Sequence, residues 1–133
     1  MSVLVLTMKT DAIGRLGEKL AKEYLKEHGY TIIESNYRSP DGEIDIVASK
    51  QGLLIFVEVR TKSSRTFGSP EESITRRKKQ KLVAVSQHYL QNHDIQESSW
   101  RIDFMAVELN ASGAPKRVEH FEAAIGDEYD PSV

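Results

Sequence analysis

The chain of 133 residues contains no cysteine, four prolines, a single tryptophan and only 8% aromatic residues. Without cysteine there is no disulfide scaffold, no thiolate metal site and no cysteine nucleophile, and a reducing cytoplasm is the default compartment. No apolar run approaches the roughly 20 residues of a membrane span. The opening stretch from Met1 to Met8 is too short for a signal peptide's apolar segment with a basic flank. No membrane association is therefore expected. Repeats, low-complexity stretches and internal linkers are also absent, and the net charge of −2 gives no global excess of either sign.

What is present is an ordinary globular composition, 39% hydrophobic and 29% charged, in a chain long enough to bury one core. The charge is unevenly spread. Between Arg60 and Lys81 stand eight basic residues (60, 62, 65, 76, 77, 78, 79 and 81) against Glu71 and Glu72, whereas the C-terminal stretch carries Asp127, Glu128 and Asp130. A near-neutral average can hide a basic patch of this kind. The domain organisation expected is a flexible N-terminal arm at 1–10, or a short extra strand there, one domain at 11–126 and an acidic tail at 127–133.

From Asp11 the apolar residues recur at helical spacing: Ile13, Leu16, Gly17, Leu20, Ala21 and Tyr24 share one stripe. Asp11 can cap the start, and Gly29 suits the left-handed residue that ends a helix. Gly17 on the stripe calls for close approach of helix and sheet. Glu18 lies at the stripe's margin, half turned toward whatever the helix covers. Tyr30 to Arg38 reads as a strand, and Ser39-Pro40-Asp41-Gly42 as a turn. A loop from Ser63 to Ser73 precedes a second helix with Thr75 as N-cap and Leu82, Val85, Ser86, Tyr89 and Leu90 as its stripe. Trp100 to Leu109 and Arg117 to Ile125 read as two further strands. The order α-β-β-β-α-β-β predicts a mixed central β-sheet flanked by helices, in the α/β or α+β class. The helix between the third and fourth strands allows a parallel crossover.

The stretch from Gly42 to Lys62 carries the chemistry. Two β-branched runs flank Gln51-Gly52 and read as a β-hairpin. With a two-residue loop, Lys50 pairs with Leu53. That register gathers Ile44, Ile46, Ala48, Ile55, Val57 and Val59 on one aliphatic face. On the other face it sets Asp45 opposite Glu58 and Glu43 opposite Arg60. Opposed side chains in an antiparallel pair have Cβ atoms about 4.5–5.5 Å apart, and like charges there are destabilising. Two facing carboxylates in an apolar hairpin therefore ask for a cation between them. A divalent metal meets the need, because hard cations take oxygen ligands from carboxylates, water and phosphate. The structural alternative is an amphipathic hairpin in which Glu58 pairs with Arg60. Lys78 and Lys79 lie on the backward extension of the second helix's stripe, where a basic helix start opposes the dipole and phosphate would relieve it. Arg76, Arg77 and Lys81 are expected to point outward.

Several short motifs, in order, carry a family resemblance: Gly14-x-x-Gly17-Glu18, Asn36-Tyr37-Arg38, Gly42-Glu43-Ile44-Asp45, Phe56-Val57-Glu58-Val59-Arg60 and Ile74-Thr75-Arg76-Arg77-Lys78. Over roughly Gly14 to Ile125 the chain resembles the YraN-like family of bacterial predicted endonucleases. Through it, the chain is similar to the restriction-endonuclease-like PD-(D/E)XK nucleases and, distantly, to archaeal Holliday-junction resolvases. The resemblance implies Asp45, Glu58 and the Val59 carbonyl as ligands of Mg²⁺ or Mn²⁺, with Glu18 as the helix glutamate that resolvase-type members bring to the metal. It implies catalytic roles for Asp45, Glu58, Arg60 and Lys62, and DNA-backbone contacts from Lys62, Arg65, Lys78 and Lys79. The literal Pro40-Asp41 is read as a decoy. Arg60 stands where the superfamily has lysine, and arginine stays protonated in proteins. It can hold a phosphate oxygen or orient water but cannot act as a base, and Lys62 is placed to substitute in part.

Two function classes follow: a metal-dependent DNA endonuclease, with branched or repair intermediates among its candidate substrates, or a DNA-binding module that kept the fold without the chemistry. No small-molecule cofactor is expected, and the likeness to dimeric resolvases leaves a homodimer open. His28, His88, His93 and His120 are scattered and read as structural or surface residues. Asp103 reads as a strand-face polar group at the margin of the site.

Overall fold

The computed structural model of the chain describes residues 10–63, 68–94 and 99–125. The arm at 1–9, Arg65 and the acidic tail lie outside the described residues, so their expected roles rest on sequence alone. Helix α1 spans Thr10–Glu27, and strands β1, β2 and β3 span Thr31–Ser39, Gly42–Lys50 and Leu53–Ser63. A 3-10 turn at Pro70–Ser73 leads to helix α2 at Arg76–Asn92, followed by β4 at Trp100–Leu109 and β5 at Pro115–Ile125. The expected order of helices and strands is the observed one. Inside the loop expected from Ser63 to Ser73, the short 3-10 turn is an addition.

The five strands form one sheet in chain order. Neighbours pair antiparallel except β3 and β4, which are parallel across α2. The two faces read differently. On one, Ala21 and Leu25 of α1 pack with Tyr30, Ile46, Ala48, Ile55, Val57 and Met105. On the other, Leu82, Val85 and Tyr89 of α2 pack with Tyr37, Val47, Phe56 and Ile102. Strands buried on both faces lose strict alternation, which is why β4 runs through Phe104, Met105, Ala106 and Val107 without a polar residue. Among the described residues no helix is long and apolar enough to cross a membrane.

Gly17 brings α1 down on β3. A Cβ there would sit 1.8 Å from Thr61 Oγ1, so only glycine permits this approach. Gly29, at φ 87, closes the helix in the left-handed region as expected. Asp11, however, is already inside the first turn, paired with Arg15 at 3.0 Å, and is no cap. Thr75 does cap α2: its hydroxyl accepts from the Lys78 amide at 3.2 Å.

The β2–β3 hairpin has the expected register, Lys50 with Leu53 through Ile46 with Val57. There the ladder ends. Beyond it β2 stays paired with β1 as far as Gly42, while β3 stays paired with β4 as far as Ser63. The sheet thus forks between β2 and β3. The fork overturns two details of the expected faces. Ile44 packs with the α2-side cluster, not with Ile46 and Ala48. Glu43 pairs with Arg38 across β1, at 3.1 Å, not with Arg60. Beside Ile44, Asn36 of β1, between the Ser35–Ile46 and Tyr37–Ile44 pairs, has φ 55, a left-handed conformation within a strand.

Candidate metal centre

Asp45 and Glu58 stand at the two lips of the fork, on the α2 face. Because β2 no longer supplies a ladder partner at this point, the Asp45 side chain takes one over: its Oδ2 accepts the Val59 amide at 2.8 Å. The N–H and C=O of one strand residue point the same way, so the Val59 carbonyl also faces the gap. Glu58 is buried, and its Oε2 accepts from the Arg60 guanidinium at 2.7 Å. The ion pair between Glu58 and Arg60 is thus real, and it coexists with the facing carboxyls. The Nε of Arg60 is buried without a hydrogen-bond partner. A buried donor left unmade is costly and rare, so this atom marks a place where an acceptor is wanted.

The carboxyls repel each other's charge. Burial, then a hydrogen bond and charge repulsion from Glu58, push the Asp45 carboxyl up to about 8. The Val59 amide and Arg60 oppose this shift without cancelling it. At neutral pH the Asp45 carboxyl consequently keeps its proton. Proton and divalent cation are competitors for such a carboxyl.

The lips open on a cleft of about 330 Å³ lined by Gly42, Glu43, Asp45, Glu58, Val59, Arg60, Lys78, Lys81 and Leu82. Strand residues supply the anionic side; the first turns of α2 supply the cationic one. Lys78 also anchors the helix start, its Nζ donating to the Ser73 carbonyl at 2.8 Å. Lys81, expected to point outward, lines the cleft instead. Its spacing of three from Lys78 is the signal that could have found it, since i and i+3 are neighbours on a helix surface. Lys79 lines an adjoining pocket. Lys62 stands two residues beyond Arg60 on the same strand face, paired in register with Glu108 of β4.

Glu18 is not brought to the cleft. From α1, on the opposite face, its carboxylate accepts from Asn36 at 3.0 Å and pairs with Lys22 at 3.4 Å. Asp41 lies exposed in the β1–β2 turn, away from the pair, as its reading as a decoy requires. Asp103 is also elsewhere, because its register with Val57 turns it to the α1 side. There it is fully buried and accepts from Arg101 Nε at 2.8 Å, the Ala123 amide at 2.9 Å and His120 Nε2 at 2.6 Å. Burial alone would raise the Asp103 carboxyl, yet the bonds from His120, Arg101 and Ala123 bring it below its ordinary value. His28 and His93 each bond a carbonyl one turn back, and His88 bonds the Tyr37 hydroxyl at 2.7 Å.

Residues 17–107 match the Uncharacterised protein family UPF0102. A UPF0102 protein of Dehalococcoides mccartyi is 48% identical over 115 residues, which is 86% of this chain and 93% of that one. The chain belongs to UPF0102. Other members are similarly close: one from Alkaliphilus oremlandii is 41% identical over 112 residues, covering 84% of this chain and 96% of its own. One from Moorella thermoacetica is 41% identical over 119 residues, covering 90% and 99%. The family resemblance drawn from the motifs is thereby borne out. The matched span of UPF0102 takes in Asp45, Glu58, Arg60, Lys78 and Lys81 together, so the whole cleft belongs to the family's domain.

Proposed function

We propose that this UPF0102 chain is a divalent-metal-dependent nuclease of the PD-(D/E)XK type that hydrolyses phosphodiester bonds of DNA in the cytoplasm. The observation that carries the reading is the Asp45–Glu58 pair: two largely buried carboxyls side by side, facing a cleft whose far wall is cationic. The donor set fits Mg²⁺ or Mn²⁺. Asp45, Glu58 and the Val59 carbonyl offer hard oxygen only. Among the described residues no group of three or more histidine, aspartate or glutamate side chains is placed to hold a metal ion. Mg²⁺ characteristically binds one or two carboxylates and keeps several waters. When bound, the ion polarises a phosphoryl oxygen and lowers the pKa of a water molecule.

The remaining work falls to the chain itself. Asp45 is held by the Val59 amide and cannot swing away, so its free oxygen stays aimed into the fork. Glu58 is oriented by Arg60. The unused Nε of Arg60 is the donor available to a non-bridging phosphate oxygen. Lys78 and Lys81 attract the strand's backbone, supported by the positive end of α2. Arg60 takes no proton from water, because its guanidinium remains charged.

One observation favours the second reading, a DNA-binding module without chemistry. The Arg60–Glu58 pair already neutralises one carboxylate at 2.7 Å. Incubation of plasmid, flap and four-way-junction DNA with Mg²⁺ or Mn²⁺ separates the two. The nuclease reading expects cleavage that Glu58→Ala and Asp45→Asn abolish and Arg60→Lys preserves or raises. Binding without cleavage by native chain and Arg60→Lys alike, with either ion, would leave only the module.

A further inference from the structure

Next to the carboxylate cleft, sharing Glu58 and Leu82 with it, lies a second pocket of about 370 Å³. Its size is at the lower end of small-ligand pockets, roughly 300–1,000 Å³. Its character is different from the cleft's. Its apolar walls are Ile74, Leu82, Phe104, Phe121 and Ile125, and Lys79 lines it together with the acidic residues Glu58, Glu71, Asp103 and Glu122. Phe104 is the register partner of Glu58, so the aromatic wall begins beside the metal-facing carboxylate. Phe104 and Phe121 lie 5.9 Å apart at 36°, and Phe121 is only half buried.

The pocket exists because β5 bulges. Ile102 pairs with Ile125 and Phe104 with Phe121, so residues 122–124 of β5 stand against Asp103 alone. Ala123 in that bulge has φ 51, and the buried Asp103 carboxylate holds its amide. Arg101 and His120 in turn hold Asp103. A hydrogen-bonded network centred on the buried Asp103 thus fixes an irregular strand end whose residues Phe121, Glu122 and Ala124 line this pocket. Bulges of this kind are over-represented next to active sites, where they re-aim side chains.

Resting on the reading of the cleft as a phosphodiester site, we infer that this pocket takes one unstacked nucleobase of the strand whose phosphate lies at Asp45 and Glu58. On that reading the cleft binds a phosphate; the group covalently next to a phosphate is a nucleoside; and the adjoining pocket offers the apolar and aromatic walls of Phe104 and Phe121, with Lys79 and the acceptor carboxylates of Glu71 and Glu122 around them. That is the chemistry on which single-stranded bases stack, at about 1–3 kcal/mol per base without sequence preference. A fully paired duplex has no base to offer without unpairing, which costs a few kcal/mol. The substrate class is therefore DNA with an unpaired nucleotide beside the scissile bond: a flap, a gap edge or a junction core.

The test is equilibrium binding in EDTA, where nothing is cut, of the native chain to a flap DNA, the same flap abasic at the branch nucleotide, and the matched duplex. The native chain should prefer the flap over both, by roughly tenfold or more. Phe121→Ala should collapse the preference toward unity. Ala124→Leu, which narrows the pocket from an exposed position without adding a stacking ring, should do the same with the melting temperature retained, so that misfolding is not the cause. Equal binding of base-bearing and abasic flap would overturn the pocket's role, as would a preference that survives Ala124→Leu, in both cases leaving the phosphodiester site standing. Failure of the native chain to bind any of the three DNAs would overturn both readings.

Discussion

Asp45 carries the account at the scale of a single residue. In the folded chain its carboxyl keeps a proton up to about pH 8, against an ordinary value of 3.8 once unfolded. Between these values the folded chain binds the extra proton, so this group's contribution to stability declines as pH rises through that window and has been lost above about 8. In EDTA, native chain and Asp45→Asn should therefore have similar melting temperatures near pH 4. The native chain should fall behind progressively toward pH 9. Parallel profiles would contradict the raised Asp45 carboxyl. Asp103 is the converse case. Its carboxyl is held below the ordinary value, so its contribution is present above about 3.8 and lost as pH falls through the folded-state value. Asp103→Asn should cost about 3 kcal/mol or more at pH 7, since it strands Arg101 beside a neutral partner. It should leave divalent-metal affinity unchanged, and a urea titration beside a Mn²⁺ titration reads both. Nothing in a lone aspartate at position 103 announces its face. Only the parallel register with Val57 turns it away from Glu58.

At the scale of elements, the two helices are fixed by small local features. A methyl group at position 17 would collide with Thr61. Gly17→Ala should thus destabilise by about 1–3 kcal/mol, seen as a lowered urea midpoint with an unchanged slope. Thr75→Ala should cost about 1 kcal/mol through loss of the N-cap. Both features could be read in the sequence, the first from a glycine on an apolar stripe and the second from a hydroxyl before a basic helix start. The hairpin register was legible too, because Gln51-Gly52 between two β-branched runs leaves few ways to pair. The fork beyond Ile46 and Val57 was not. Beside it Asn36 takes a left-handed conformation, and asparagine tolerates that state without demanding it. The β5 bulge was hidden for the same reason, as Ala123 gives no sign of its positive φ. Lys81 went unplaced because its turn toward the cleft depends on how closely α2 meets the start of β2, where a Cβ added at Gly42 would sit 3.9 Å from the Lys81 Cβ.

At the scale of the whole molecule, one sheet divided by a fork explains why a chain of near-neutral charge can hold a charged site. Residues of β2 and β3 bring carboxylates to the gap, and α2 crosses over it with lysines. The β3-to-β4 crossover keeps these layers together. Arg117 ties the far side, pairing Glu71 of the 3-10 turn with Glu108 and Glu119 of the sheet. The central claim is that Asp45 and Glu58 share one divalent cation in place of one proton. Calorimetric titration of Mn²⁺ at pH 7, in buffers of different ionisation enthalpy, tests it most directly. The native chain should bind one ion and release close to one proton, with Asp45→Asn losing both signals and Glu18→Gln losing neither. Equal Mn²⁺ binding by native chain and Asp45→Asn, with no proton released, would contradict the claim.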